Sequence, residues 1–258
     1  MVNPLKRKLL ENRLTVGSWV TIGHPSVVEV MARAGFDWLT VDLEHSVIDI
    51  QMAQLLVATI QAQGLVPLVR VTENHPKLIQ RVMDTGATGV IVPMVNSKAD
   101  AELAVAAVRY PPAGRRGVGL ARAQGYGLRF ETYASQINHE SVVIAQIEHI
   151  DGVSNVEEIL AVEGIDGVLV GPYDLSSSLG HPGCFDHPAV QEAVQRVEVV
   201  CRAKQRPLGF HVIQPQWPLL EEKIQKGYTF LAFSLDTLFL GTACMEAMRG
   251  LNQSSRAE

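Results

Sequence analysis

Cysteine is scarce. Cys184, Cys201 and Cys244 are the only three in 258 residues, widely spaced and odd in number, which excludes a disulfide framework. None belongs to a CxxC pair, so a structural zinc site has no nucleus. A reducing cytoplasm is the expected compartment. Long apolar runs are missing too: no stretch approaches the ~20 residues needed to cross a bilayer. The N-terminus, MVNPLKRKLLENRL, carries positive charge without the apolar segment or small-residue cleavage site of a secretory signal. A basic excess is absent as well, since the formal net charge is −5. Neither nucleic acid nor membrane is therefore expected as a partner. No GxGxxG turn follows the first strand, which counts against an open dinucleotide-binding sheet. No lysine ends a strand, so Schiff-base chemistry lacks its nucleophile.

Hydrophobic residues, at 47%, supply enough material for a large core. β-branched runs at 16–22, 37–45, 66–71, 89–93, 142–147, 168–170, 207–212 and 229–236 alternate with amphipathic segments. The first of these helices opens at Ser26 and is closed by Gly35. Eight strand-helix units without a linker predict a (β/α)₈ TIM barrel, a fold that needs about 250 residues. One domain covers 1–251, and a disordered tail is expected over 252–258. The interval 110–140 breaks the rhythm with glycines and prolines and reads as an elaborated loop over one end of the barrel. The last helix, TLFLGTACMEAMRGL, is apolar nearly all round, and a neighbouring subunit is the simplest cover for it.

The chemistry is organised around the stretch from Val142 to Ser176. It reads strand, helix, strand, with Glu148 at the end of the first strand and Asp174 just after the second. Parallel strands point their carboxyl ends the same way, so these acids should emerge side by side, as a hard divalent cation requires. In this class of barrel the active site lies at that end. The other strands deliver Trp19, Asp42 with Glu44 and His45, Arg70, and His149 there. Period-two alternation turns Asp42 and Glu44 toward the interior. Two carboxylates, an arginine and a histidine suit reactions that build negative charge beside a carboxylate. Plainer alternatives stand beside these roles: a rim ion pair for Arg70, packing for His45 and Trp19, solvated loop positions for the acids. His45 and His149 compete, because both follow a glutamate at a strand end.

The segments GFDWLTVDLEHS, PLVRV, VPMV, YPPAGRRGVG, QIE and VGPYDLS, in this order and at these separations, resemble the metal-dependent (class II) pyruvate aldolases of the 4-hydroxy-2-oxoheptanedioate and 2-keto-3-deoxy-sugar-acid type. The resemblance runs from about Leu9 to Leu251. It implies cleavage or formation of 4-hydroxy-2-oxo acids through a metal-stabilised pyruvate enolate, so the partners would be a 2-oxo acid and an aldehyde. It further implies Mg²⁺ or Mn²⁺, with Co²⁺ as another candidate, held by Glu148 and Asp174. His45 would transfer the proton and Arg70 stabilise the transition state. Pyruvate contacts would come from Gln146 and the backbone of Gly171, Pro172 and Tyr173, with Trp19 beside them. Asp84 would raise the basicity of a His45 across a subunit interface, Asp42 being the rival within the subunit. A homohexamer, a trimer of dimers exchanging the last helix, is implied too. Two positions depart from the pattern: His149, where histidine is unusual, and Tyr173, where some members have alanine. Arg115, Arg116 and Arg122 are candidates at the mouth for a distal substrate carboxylate. Oxaloacetate decarboxylation in the same pocket and a non-catalytic metabolite-binding barrel are the alternative functions.

Overall fold

Strand alternation decides what fills the middle of this molecule. The computed structural model describes residues 3–254, and in it eight parallel strands pair in sequence order, the last closing on the first. They are β1 (Thr15–Val20), β2 (Trp38–Asp42), β3 (Val66–Arg70), β4 (Gly89–Val92), β5 (Val142–Ile147), β6 (Gly167–Val170), β7 (Leu208–Val212) and β8 (Phe230–Leu235). Every one falls on a predicted run. Along β2, Leu39 and Val41 join the core between barrel and helices, whereas Trp38 joins the core inside the barrel. There Trp38 stacks on Phe230 with centroids 4.5 Å apart. Gly17 makes this possible, because a Cβ at that position would sit 2.0 Å from the Trp38 ring.

A short helix absent from the sequence reading, α1 (Pro4–Leu10), plugs the N-terminal end of the barrel. Asn3 caps it by accepting from the Leu5 amide, and Leu5 and Leu9 complete the inner core. Lys6 reaches Asp166 at 2.6 Å and the Ser141 carbonyl at 2.8 Å, while Asp166 also accepts from the Val143 amide at 2.9 Å. This end is the floor; the opposite end is the mouth.

The outer helices are α2 (Pro25–Met31), α3 (Ile50–Ala62), α4 (Pro76–Asp84), α5 (Lys98–Val108), α6 (Phe130–Glu140), α7 (Ile150–Ser154), α8 (Val156–Ile159), α9 (Pro172–Ser178), α10 (Pro188–Ala203), α11 (Trp217–Gln225) and α12 (Asp236–Ser254). Three corrections follow. The cap of α2 is His24, whose Nδ1 accepts from the Ser26 amide; Pro25 occupies the first turn, where no amide hydrogen is needed. The interval 110–140 is not all loop, since α6 fills its last third. That helix has a narrow apolar stripe, Phe130, Tyr133 and Ile137, easily lost among the preceding turn residues. Finally, residues 252–254 continue α12 instead of beginning a tail; the rest of the expected tail, 255–258, lies outside the described residues. No helix among the described residues is long and apolar enough to cross a membrane.

Candidate active site

Asp42, the last residue of β2, is the hub of the mouth. Its Oδ1 accepts from the backbone amides of Glu44 (3.1 Å) and His45 (3.4 Å) and from Arg70 Nε (2.8 Å), while Oδ2 accepts from Arg70 Nη2 (2.6 Å). One carboxylate thus bends the chain that follows β2 and clamps a guanidinium in the two-pronged geometry that suits arginine. The Arg70 guanidinium carbon lies 4.3 Å from the centre of the Trp19 ring. Trp19 is 98% buried, so its packing role and its place in the site coincide. Beyond β8, Asp236 accepts from the Thr21 and Ile22 amides at 2.8 and 2.7 Å and holds the end of β1 in place.

Glu44 lies with its Oε2 3.2 Å from Arg70 Nη1 and 3.8 Å from His45 Nε2, yet that buried oxygen accepts no hydrogen bond. Burial first, and then the charges of Glu148, Asp42 and Asp174, push the Glu44 carboxyl up to about 7 against the pull of Arg70. Glu148 is buried behind Gln146: one oxygen accepts from the Met94 amide at 2.8 Å and the other from the Gln146 side chain. Burial also raises its pKa, and the nearby Asp174 raises it further. Asp174 sits in the first turn of α9, after Gly171, Pro172 and Tyr173. A Cβ on Gly171 would stand 2.9 Å from Glu148 Oε2, so glycine is what lets this backbone cross the glutamate.

Trp19, Asp42, His45, Arg70, Gln146 and Asp174 therefore line one cleft of about 280 Å³, with Gly171, Pro172 and Tyr173 along its edge. Other expectations are redirected. The Asp42 side chain serves Arg70 and the His45 amide, with no bond to the imidazole, whose near carboxylate is Glu44. His149 caps α7 through Nδ1, which accepts from the Asp151 amide at 3.2 Å. Asp84 closes α4 at the floor of its own barrel, 2.6 Å from the buried Arg116. Arg122 donates to the Thr85 carbonyl, and Arg115 and Arg116 border a surface between α4 and α5, so all three loop arginines leave the mouth. One group of the cleft, His211, carried no role in the sequence reading, and Glu44, turned inward there beside Asp42, was given no specific task. The alternation in PLGFHV, with Phe210 and Val212 facing out, was the signal for His211.

Fold and cluster together define a (β/α)₈ enzyme that gathers four carboxylates and one arginine at the C-terminal ends of its strands. Residues 15–242 match the HpcH/HpaI aldolase/citrate lyase family. The chain belongs to that family and is by class a carbon–carbon lyase. It is 38% identical to the 5-keto-4-deoxy-D-glucarate aldolase of Escherichia coli (strain K12), over 91% of each chain. It is 36% identical to a 2-keto-3-deoxy-L-rhamnonate aldolase of Escherichia coli O17:K52:H18, over 94% of this chain and 91% of that one. Among solved structures, an HpcH/HpaI aldolase/citrate lyase family protein from Burkholderia cenocepacia J2315 superposes with a TM-score of 0.92 at 33% identity. That match covers 97% of this chain and all of the other.

Proposed function

We propose that this protein is a divalent-metal-dependent aldolase that cleaves, or forms, 4-hydroxy-2-oxo acids, the other products being pyruvate and an aldehyde. The observation that carries the reading is a charge imbalance: Arg70 is the cation that faces Asp42, Glu44 and Glu148 among the described residues, and Asp174 adds a further negative charge beside the two glutamates. Similarity to sugar-acid aldolases over nine-tenths of the chain supports it. A dication fits the residues present, because two carboxylates with substrate and water suffice for Mg²⁺ or Mn²⁺. The buried Gln146 Oε1 beside them has no hydrogen-bond partner among the described residues. Glu148 and Asp174 would hold the ion, Mg²⁺, Mn²⁺ or Co²⁺. When bound it supplies Lewis-acid polarisation of the 2-oxo group.

The protein's own groups do the rest. Arg70, fixed by Asp42 and the Trp19 face, stabilises the oxygen on which negative charge grows as the C3–C4 bond breaks. His45 stands at the cleft edge on the turn that Asp42 shapes, and takes the C4-hydroxyl proton there. Gln146 and the backbone from Gly171 to Tyr173 hold the pyruvate half. In the assembly, α12 is exchanged between subunits of a hexamer built as a trimer of dimers, which would cover its exposed Leu240, Met245 and Met248. Asp84 then serves a neighbour's His45, and the compartment is the cytoplasm.

Chelation tests the central claim. Stripping the protein with EDTA should abolish pyruvate release from 4-hydroxy-2-oxo acids, and Mg²⁺, Mn²⁺ or Co²⁺ should restore it. Full turnover in the stripped enzyme, or turnover of oxaloacetate alone, would remove this reading.

A further inference from the structure

We propose that His211 is the specificity residue for the aldehyde half of the substrate, pairing through Nε2 with a hydroxyl group there. The inference rests on the aldolase reading and names the substrate class within it: hydroxylated aldehydes in preference to their deoxy counterparts.

The position follows from the strand. Phe210 and Val212 pack outward against the helices, so period-two alternation turns His211 into the barrel. Its ring meets the Trp19 ring edge-on at 5.6 Å, and that same indole supports Arg70. Burial and the charge of Arg70 lower its pKa to about 4, with Asp42 as the nearby charge that opposes them. The imidazole is therefore neutral at physiological pH. The backbone of Ser234, whose carbonyl accepts from the Ser18 hydroxyl at 3.2 Å, lies beside the ring. Ser234 is left-handed, φ 51°, in the segment where the pairing of β1 with β8 shifts register, so an unfavourable backbone conformation is kept at this contact. A neutral imidazole carries one N–H and one lone pair, so either nitrogen can pair with a hydroxyl. Nε2 is buried and has no hydrogen-bond partner among the described residues. A buried ring nitrogen left unpaired weakens a fold, so its retention calls for a partner that arrives with a ligand.

The surroundings say which ligand. His211 lines the 280 Å³ cleft and also a second cavity of about 790 Å³ between α10 and α11. Tyr173 borders both as well. The pyruvate half is held on the side of Gln146 and Gly171. The remaining half of the substrate extends toward His211, where a hydroxyl can pair and a methyl group cannot. A pocket built to pair with a hydroxyl discriminates strongly against the analogue lacking it.

The test is carbon–carbon bond formation from pyruvate with glycolaldehyde or acetaldehyde, run on the metal-replete wild type and on His211→Leu, His211→Asn and His211→Gln. The wild type should favour glycolaldehyde in kcat/KM by at least ~10-fold. His211→Leu should lose that preference through a higher KM for glycolaldehyde, with acetaldehyde turnover within about 3-fold of the wild type. His211→Gln, whose amide oxygen reaches the place of Nε2, should keep part of the preference; the shorter His211→Asn should not. Should His211→Leu fail to fold, the Asn and Gln pair carries the comparison. A ratio unchanged in the variants, a wild type without preference, or equal losses on both aldehydes in every folded variant would overturn the assignment. A wild type that joins pyruvate to neither aldehyde would instead overturn the aldolase reading, and this inference with it.

Discussion

The two ends of the barrel use the same side chains to opposite effect. At the floor acid is matched to cation: the buried Lys6–Asp166 pair at 2.6 Å, the buried Arg116 with the partly exposed Asp84 at 2.6 Å, and the half-buried Lys8–Asp37 pair beside them. At the mouth four carboxylates gather about one guanidinium, which pairs with Asp42 at 2.6 Å and Glu44 at 3.2 Å. A balanced set of charges closes a structure. An unbalanced one is tolerated where something is to be bound, because incoming positive charge and hydrogen-bond donors relieve it on arrival.

Breaking the floor should give the largest stability effect. Lys6→Met leaves Asp166 buried without its cation, so urea titration should show a loss of about 3 to 5 kcal/mol. Activity per folded molecule should stay at the wild-type level, and a matching drop in kcat would erase the contrast between the ends. Breaking the mouth should act on rate. Arg70→Ala should lower kcat by 10²- to 10³-fold, about 3 to 4 kcal/mol, while Mn²⁺ affinity measured by calorimetry stays nearly the same. Normal turnover in that variant would contradict the role given to Arg70.

The surplus charge has its own pH signature. In metal-free protein the folded state holds a proton on Glu44 that the unfolded chain releases, between 4.5 and about 7. Folding stability from this group therefore falls as pH rises through that window, by roughly 3 kcal/mol in all. Glu44→Gln should flatten the difference when wild type and variant are titrated with urea at pH 5 and pH 8; parallel curves would show that Glu44 is not strained. The smallest effect is expected from Gly171→Ala. Its methyl group would press on Glu148 Cβ and Oε2, both 2.9 Å away, and Mn²⁺ should bind about 10- to 100-fold more weakly by calorimetry. Unchanged affinity would separate Glu148 from the metal.

Legibility from sequence followed the strands. Each strand end was readable because β-branched runs stop abruptly in polar residues, which brought out Arg70, Glu148 and Asp174 together. Placing Arg115, Arg116 and Arg122 at the mouth failed for a topological reason: a segment linking the end of α5 to the start of β5 has to lie at the floor. His211 went without a role although Phe210 and Val212 alternate around it, because one inward histidine on a strand does not by itself mark a site, and Glu44 was read as facing inward without a task of its own. Their importance comes from what they lack, a hydrogen-bond partner at Oε2 and at Nε2, and that exists only once the barrel has closed. The helix α1 was missed because its two buried leucines, Leu5 and Leu9, make sense only against an inner core supplied by seven strands.

By itself the chain of residues determined the barrel, since hydrophobic period and turn chemistry act over a few positions and repeat eight times. It also determined which acids stand at strand ends, because parallel strands share a direction. Only the closed tertiary structure decided which of those charges are matched and which are left over. Pairing depends on distances between residues 28 to 160 positions apart, such as Arg70 with Asp42 and Lys6 with Asp166, and no local pattern encodes those.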